Sequence, residues 1–255
     1  MITFERSNWW CQGPSVKAEN HVIFQNIGKI LGEPLVEIDG GDAQPDLVLS
    51  GGFGLYPVKR KGVKVLFIQL ENPRYFVGHT NVYKYPQVGY VDDDEFSCEI
   101  GDWHSRFDQL LHPRHQGGDR IPRACAMWNN VNSERYELKH TYNAILTKAK
   151  DKIDDIARFD FNIAAENSYA PCYITEKLAD ACIAGCIPIY KGGDLDRTPF
   201  NQQRIIPARN DKPARLPQGA EKQRLMDMPM LATQAQEMYE ERTYKIKKFL
   251  ERVLS

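Results

Sequence analysis

Glu166, Asn167, Tyr173, Thr175, Glu176 and Lys177 fall within twelve positions of one another. Two carboxylates, an ammonium, hydroxyls and an amide in so short a stretch suit a ligand with both hydroxyls and negative charge. A carboxylate accepts hydrogen bonds from ribose hydroxyls, and a cation neutralises a diphosphate. The group therefore points to a sugar nucleotide. Arg135 offers a planar fork that gives phosphate two directed hydrogen bonds, although an arginine on a surface helix looks the same in sequence. Glu71 follows the apolar run Val63 to Leu70. The end of a buried parallel strand is where α/β enzymes place chemistry, although most acids after strands are simply solvated.

The elements that must hold these residues are legible in the hydrophobic pattern. Phe161 to Ala165 is a short apolar run with one polar break, the pattern of a buried strand. Glu166-Asn167-Ser168 opens a loop that contains Pro171. A helix starts at Thr175, with Leu178, Ala181, Cys182 and Gly185 on one stripe, and Ile187 to Tyr190 is a second strand closed by Gly192-Gly193-Asp194. Strand, loop, helix and strand make a βαβ unit. In such sheets ligands sit at the carboxyl ends of strands and anions at helix N-termini.

Upstream, Ile2 to Phe4, Leu35 to Ile38, Asp46 to Ser50 and Val63 to Leu70 read as strands. Ile23, Ile27, Ile30 and Leu31 form a helical stripe that Gly32 caps. Trp9 and Trp10 are neighbours, and neighbours on a strand face opposite sides. Either one lines a cleft, where an indole stacks on a sugar ring, or both cover the edge of the core. Ala124 to Trp128 reads as the first strand of a second half. Ser133 would cap the helix that follows, through Leu138, Tyr142 and Ile145. Asp151 to Asp160 reads as a charged, solvated approach. Ile205 to Pro207 is a last short strand, and Arg209 to Gly219 a loop. Ala235, Met238, Tyr239, Ile246, Phe249, Leu250 and Val253 mark a long amphipathic helix. Residues 101 to 122 lack periodicity, so His104, His112 and His115 read as solvated residues of an interdomain crossing. The division is 1–115, 116–230 and a helix in 231–255 that packs back on the body.

At 255 residues, with 42% hydrophobic and 26% charged, the chain is ordinary for a globular protein of one large or two small domains. A net charge of -1 gives no global attraction to nucleic acid or an anionic membrane. No apolar run approaches the roughly 20 residues that span a bilayer. Asp92-Asp93-Asp94 could attract a hard cation but reads as a solvated loop. Cys11, Cys98, Cys125, Cys172, Cys182 and Cys186 show no disulfide spacing and read as buried free thiols, which favours a reducing cytoplasm.

The stretch from Glu166 to Asn201, read as ENS…YITEKL.DA..AG.IPIY.G…FN, resembles the donor-binding motif of glycosyltransferase family 10, the α-1,3/4-fucosyltransferases. Ala164-Ala165 departs from it, since a bulkier or aromatic residue is expected before the Glu-Asn pair. The resemblance implies a GT-B α/β fold, with two Rossmann-like βα domains facing across a cleft and a C-terminal amphipathic helix. It implies that the first half receives the acceptor and the second holds GDP-fucose. It makes Glu71 the catalytic base, followed by Asn72, and sets Arg135, Glu166, Asn167, Tyr173, Thr175, Glu176 and Lys177 around the donor. Trp9, Trp10 and Asn72 lie on the acceptor side. The reaction would be inverting transfer of L-fucose from GDP-β-L-fucose to an N-acetylglucosamine-containing glycan, α-1,3 by preference. No cofactor or metal would be required, a divalent metal being at most stimulatory. Two other readings stay open: a related transferase with another GDP-sugar or acceptor, and a non-catalytic glycan- or nucleotide-binding module. Without the membrane anchor and stem of Golgi members, the chain resembles the soluble bacterial or viral type, or a trimmed form, in the cytoplasm; peripheral membrane contact by the last helix stays open.

Overall fold

The computed structural model describes residues 1–7, 22–38, 44–51, 62–69, 87–90, 93–99, 102–114, 119–128, 132–148, 151–169, 173–209 and 214–255. Trp9, Trp10, Glu71, Asn72, Asp92 and His115 lie outside them. The chain forms two compact units, one of Met1–Ser105, Ala170–Tyr173 and Glu237–Ser255, the other of Arg106–Tyr169 and Ile174–Gln236. Among the described residues no helix is long and apolar enough to cross a membrane.

The first unit is built on a six-stranded sheet. Its strands are β1 (Ile2–Ser7), β2 (Leu35–Glu37), β3 (Leu47–Gly51), β4 (Lys64–Gln69), β5 (Gln87–Tyr90) and β6 (Asp93–Glu99), in the order β2-β1-β3-β4-β5-β6. β1 to β4 pair in parallel, whereas β5 and β6 extend the sheet as an antiparallel pair. That pair has no counterpart among the strands expected from the sequence, and Asp93 and Asp94 belong to β6 rather than to a loop. Helix α1 (Val22–Leu31) ends at Gly32, whose φ of +73° suits the left-handed turn after a helix.

Phe4, Phe24, Ile27, Leu47, Leu49 and Leu66 form one face of the core. Val48 and Val65 are buried too, so β3 and β4 are covered on both faces and carry nearly unbroken apolar runs. The last helix, α8 (Ala235–Leu254), closes the same core with Ile246, Phe249, Leu250 and Val253.

The crossing expected at 101–122 is more ordered than its sequence suggests. It contains α2 (Asp102–Ser105), α3 (Phe107–Leu111) and the start of a strand at Ile121. The change of unit falls between Ser105 and Arg106. His112 is exposed, but His104 is only 1% exposed and holds α1, α2 and α8 together. Asn26 Nδ2 donates to its Nδ1 at 3.0 Å, which leaves Nε2 to donate to Thr243 Oγ1 at 2.9 Å. Thr243 in turn donates to the Tyr239 carbonyl at 2.8 Å, and the Tyr239 ring stacks on the imidazole at 4.7 Å. A helical residue this short of periodic neighbours gave no burial signal in the sequence.

The second unit is an all-parallel five-stranded sheet in the order β11-β10-β9-β7-β8. Its strands are β7 (Ile121–Ala126), β8 (Ile145–Leu146), β9 (Phe159–Ala165), β10 (Ile187–Lys191) and β11 (Ile206–Pro207). Every residue of β9 is buried. Its polar break, Asn162, points its amide at the Cys125 carbonyl and thiol, 3.5 and 3.4 Å away. Cys125, Cys182 and Cys186 are buried free thiols. β11 reaches only Ile189 and Tyr190, so Pro188, which lacks an N–H, sits where one side of β10 is unpaired.

Two further expectations are corrected. Asn132, not Ser133, caps α4 (Ser133–Thr141), its side chain accepting from the Arg135 amide at 2.8 Å. Asp151 caps α5 (Lys152–Ala157). This segment buries Ile153, Ile156 and Ala157 rather than running solvated, and Asp160 is buried against Lys222 at 2.7 Å. An unanticipated helix, α7 (Gly219–Asp227), is tied down by the buried Arg204. That guanidinium donates to the carbonyls of Leu225, Met226, Met228 and Gly185. Arg204 thus supplies the partners that a buried helix end otherwise lacks.

Burial, with Arg242 and Lys29 nearby, pushes the His104 pKa down to about 4. A proton on Nδ1 would also face the Asn26 amide, donor against donor. The unfolded chain therefore takes up a proton near pH 6.5 while the folded one resists. Stability should fall as pH drops from about 6.5 towards 4, by about 3 kcal/mol at most from this residue. Denaturant titrations of wild type and His104→Gln at pH 7.5 and 4.5 check this, and the variant should lose that part of the pH dependence.

Candidate functional site

At the carboxyl end of β9 the chain leaves the sheet at Glu166, and α6 (Glu176–Ile183) leads on to β10. The turn is organised inward. Glu166 is 3% exposed, and its amide donates to the Lys191 carbonyl at 2.8 Å, locking it to the end of β10. Its Oε1 accepts from the Thr175 amide at 2.8 Å and its Oε2 from the Thr175 hydroxyl at 2.7 Å. Thr175 stands at the N-cap of α6 but does not cap it with its own side chain. The Glu166 carboxylate instead accepts from the N-cap residue itself, at the helix end where a negative charge is favoured.

Lys177 then closes over the carboxylate. Its Nζ lies 3.3 Å from Glu166 Oε2, 3.1 Å from Glu176 Oε1 and 2.8 Å from the Thr175 hydroxyl oxygen. Lys152 from α5 approaches Glu176 at 3.7 Å. Burial pushes the Glu166 pKa up against the pull of Lys177 and Thr175. At Glu176 burial is outweighed by Lys177 and Lys152, which hold the carboxyl at about 2. Burial disfavours the Lys177 ammonium too, yet Glu166 and Glu176 raise its pKa above the ordinary lysine value. Glu176 and Lys177 therefore stay charged across the neutral range. The Lys177 side chain is 16% exposed, against 1% for Glu166. The ammonium is the group that a ligand can reach.

Arg135, from the first turn of α4, is buried at the same corner. It donates to the Ala165 carbonyl at 2.7 Å, and its guanidinium lies 5.5 Å from the centroid of the Trp128 ring. Asn132 Nδ2 donates to the Asn167 carbonyl at 3.3 Å, which ties the loop after β9 to the start of α4. So Arg135, Glu166, Asn167, Thr175, Glu176 and Lys177, scattered over more than one element, come together in the second unit. Tyr173 is buried and counts with the first unit. Glu71, Asn72, Trp9 and Trp10 lie outside the described residues.

Three participants were not singled out in the sequence. Lys152 follows the Asp151 cap directly, within a charged stretch that gives no sign of a partner on α6. Trp128 closes an apolar run, which marks it as the end of a strand and nothing more. Tyr190, on β10, faces the corner beside Ala164, its partner in register, and is 7% exposed. Its position just ahead of Gly192-Gly193 was the available hint. A Cβ on Gly192 would lie 2.2 Å from the Tyr190 hydroxyl and 2.7 Å from Glu166 Cγ. Gly192 is thus required by close approach, not by its backbone angle.

Among the described residues no cluster of three His, Cys, Asp or Glu side chains could hold a metal ion. No family model matches the chain. Its fold is similar to that of solved fucosyltransferases. A crystal structure of an α1,3-fucosyltransferase with GDP matches with a TM-score of 0.57 and 16% identity, over 99% of this chain and 90% of that one. A second α1,3-fucosyltransferase crystal structure gives 0.57 and 15% over the same shares. One with GDP-fucose gives 0.51 and 16%, over 100% of this chain and 90% of that one. At such identity the likeness is one of fold: α/β, of the GT-B class.

Removing Lys177 should leave Glu166 buried without its cation. Lys177→Ala is expected to destabilise the protein by about 3 kcal/mol, since breaking one side of a buried pair strands the other charge. Adding Glu166→Gln should restore most of that loss. Thermal unfolding of the two variants measures it, and equal stability of both would overturn the pairing.

Proposed function

We propose that the protein is an inverting fucosyltransferase, moving L-fucose from GDP-β-L-fucose to a hydroxyl of an N-acetylglucosamine-containing glycan, with an α-1,3 linkage the leading choice. The observation that carries this reading is the Glu166–Thr175–Lys177 corner, set at the end of β9 in a fold similar to α1,3-fucosyltransferases crystallised with GDP and with GDP-fucose. A cation fixed between carboxylates beside a buried arginine suits a nucleoside diphosphate.

The roles follow from the chemistry. Lys177 and Arg135 take the charge that develops on the β-phosphate as the sugar leaves, a stabilisation that needs no metal. Glu176, held ionised, accepts from the ribose hydroxyls. Asn167 and Tyr173 shape the pocket. Thr175 serves the donor indirectly, because both its donors already go to Glu166. Glu166 in turn positions the loop and the first turn of α6. Glu71, at the end of the apolar run, receives the acceptor proton as the acceptor oxygen bonds to C1 of fucose from the face opposite GDP. The C1–O bond to the β-phosphate breaks, and GDP leaves with the electron pair. Trp9, Trp10 and Asn72 contact the acceptor.

Calorimetric titration with GDP, UDP and GDP-fucose, followed by a GDP-release assay with N-acetyllactosamine, tests the reading. Binding of GDP with acceptor-dependent release supports it. Binding of GDP without turnover of GDP-fucose points instead to another GDP-sugar or acceptor, and absence of nucleotide binding overturns it. Glu71→Ala should lose about 10²–10⁴-fold in turnover and keep its GDP affinity. Lys177→Ala in the stabilised Glu166→Gln background should lose GDP affinity instead. Equal effects of the two on GDP binding would overturn the assigned roles.

A further inference from the structure

Tyr190 carries a hydroxyl that the corner does not use. The residue is only 7% exposed, and among the described residues its oxygen has no hydrogen-bond partner. The Gly193 amide lies near enough to favour negative charge on that oxygen. An amide can only donate, so the phenol O–H proton is the part left without an acceptor. A buried donor in this state is destabilising.

The neighbouring contacts identify that partner. Tyr190 Oη and Glu166 Cγ both crowd the space above Gly192, so the phenol oxygen stands beside the methylene that carries the Glu166 carboxylate. Lys177 has three ammonium hydrogens and faces three acceptors, at 2.8, 3.1 and 3.3 Å. On the reading proposed above, a diphosphate takes one of these hydrogens. The longest of the three contacts is the one to Glu166 Oε2. Releasing it leaves a buried carboxylate with the Thr175 bonds alone. Glu166 is otherwise faced by Glu176 of α6, which repels it, while Arg135 of α4 bears on Lys177, and Asp194 and Tyr169 bear on Tyr190. None of these supplies a new donor.

The geometry points to Tyr190 as a positioning residue of the donor site, whose phenol donates to Glu166 when Lys177 turns from that carboxylate to the bound diphosphate. The hydroxyl is then a reserve donor, engaged when the diphosphate binds. This inference rests on the donor-binding reading. It goes further in naming what keeps Glu166 ionised, and hence α6 in place, after its cation has been shared. Without the phenol, Glu166 would take up a proton from solution on ligand binding.

Tyr190→Phe removes the hydroxyl and keeps the ring. GDP titrations of wild type and variant, in two buffers of different ionisation enthalpy, give affinity and protons taken up together. The variant should bind GDP about tenfold more weakly, as for one hydrogen bond to a charged group. It should also take up more protons per GDP, while its ligand-free melting temperature stays equal or rises. In a Glu166→Gln background the affinity difference should shrink to less than about twofold. Unchanged affinity and proton uptake in Tyr190→Phe would overturn the inference. So would a parallel drop in melting temperature and affinity in both backgrounds, which marks a packing role. Failure of the wild type itself to bind GDP would overturn the donor-binding reading, and the inference with it.

Discussion

A carboxylate at the bottom of a loop sets the geometry of the second unit. Glu166 is placed by β9, where every residue is buried, and it cannot turn back to water. A charge so buried costs several kcal/mol unless hydrogen bonds and a countercharge compensate it. Thr175 meets that demand twice and Lys177 a third time. The loop from β9 must therefore return so that the first residues of α6 stand over the strand end. Position and direction of the helix follow from one ionised group.

The same logic recurs wherever this chain buries polar groups. Arg135 satisfies the last carbonyl of β9, and Arg204 collects the carbonyls at the end of α7 and the start of β10. His104 links α1 and α8 through a chain of three hydrogen bonds. Each is a side chain placed where backbone or neighbour has an unmet donor or acceptor. Apolar contacts fill the two cores, while these few polar residues decide which ends of which elements meet.

This division explains what could be read in advance. The βαβ unit around Glu166 was legible because β9 and β10 are apolar runs and α6 repeats its buried residues at helical spacing. α1 and its glycine cap were legible for the same reason. The cap of α4 was missed by one residue, since Asn132 and Ser133 are both good caps and only the bond to Arg135 distinguishes them. α7 and α5 were missed because their helicity depends on Arg204 and on a few buried residues within charged sequence. His104 looked solvated because its partners, Asn26 and Thr243, lie 78 and 139 residues away. At the site, residue types suggested a nucleotide pocket but not the inward turn of Thr175. That turn is fixed by pairings between side chains, which leave no period in the sequence.

Helix α8 carries a consequence for how the molecule is made. Ile246, Phe249, Leu250 and Val253 lie in the same cluster as Phe4, Phe24 and Leu47. During translation the first unit therefore emerges early with one wall of its interior missing. The second unit, complete by Gln236, has all its strands in hand sooner. The order of maturation on the ribosome runs against the order of the sequence. The nascent first sheet lacks that wall of its core until α8 has been made.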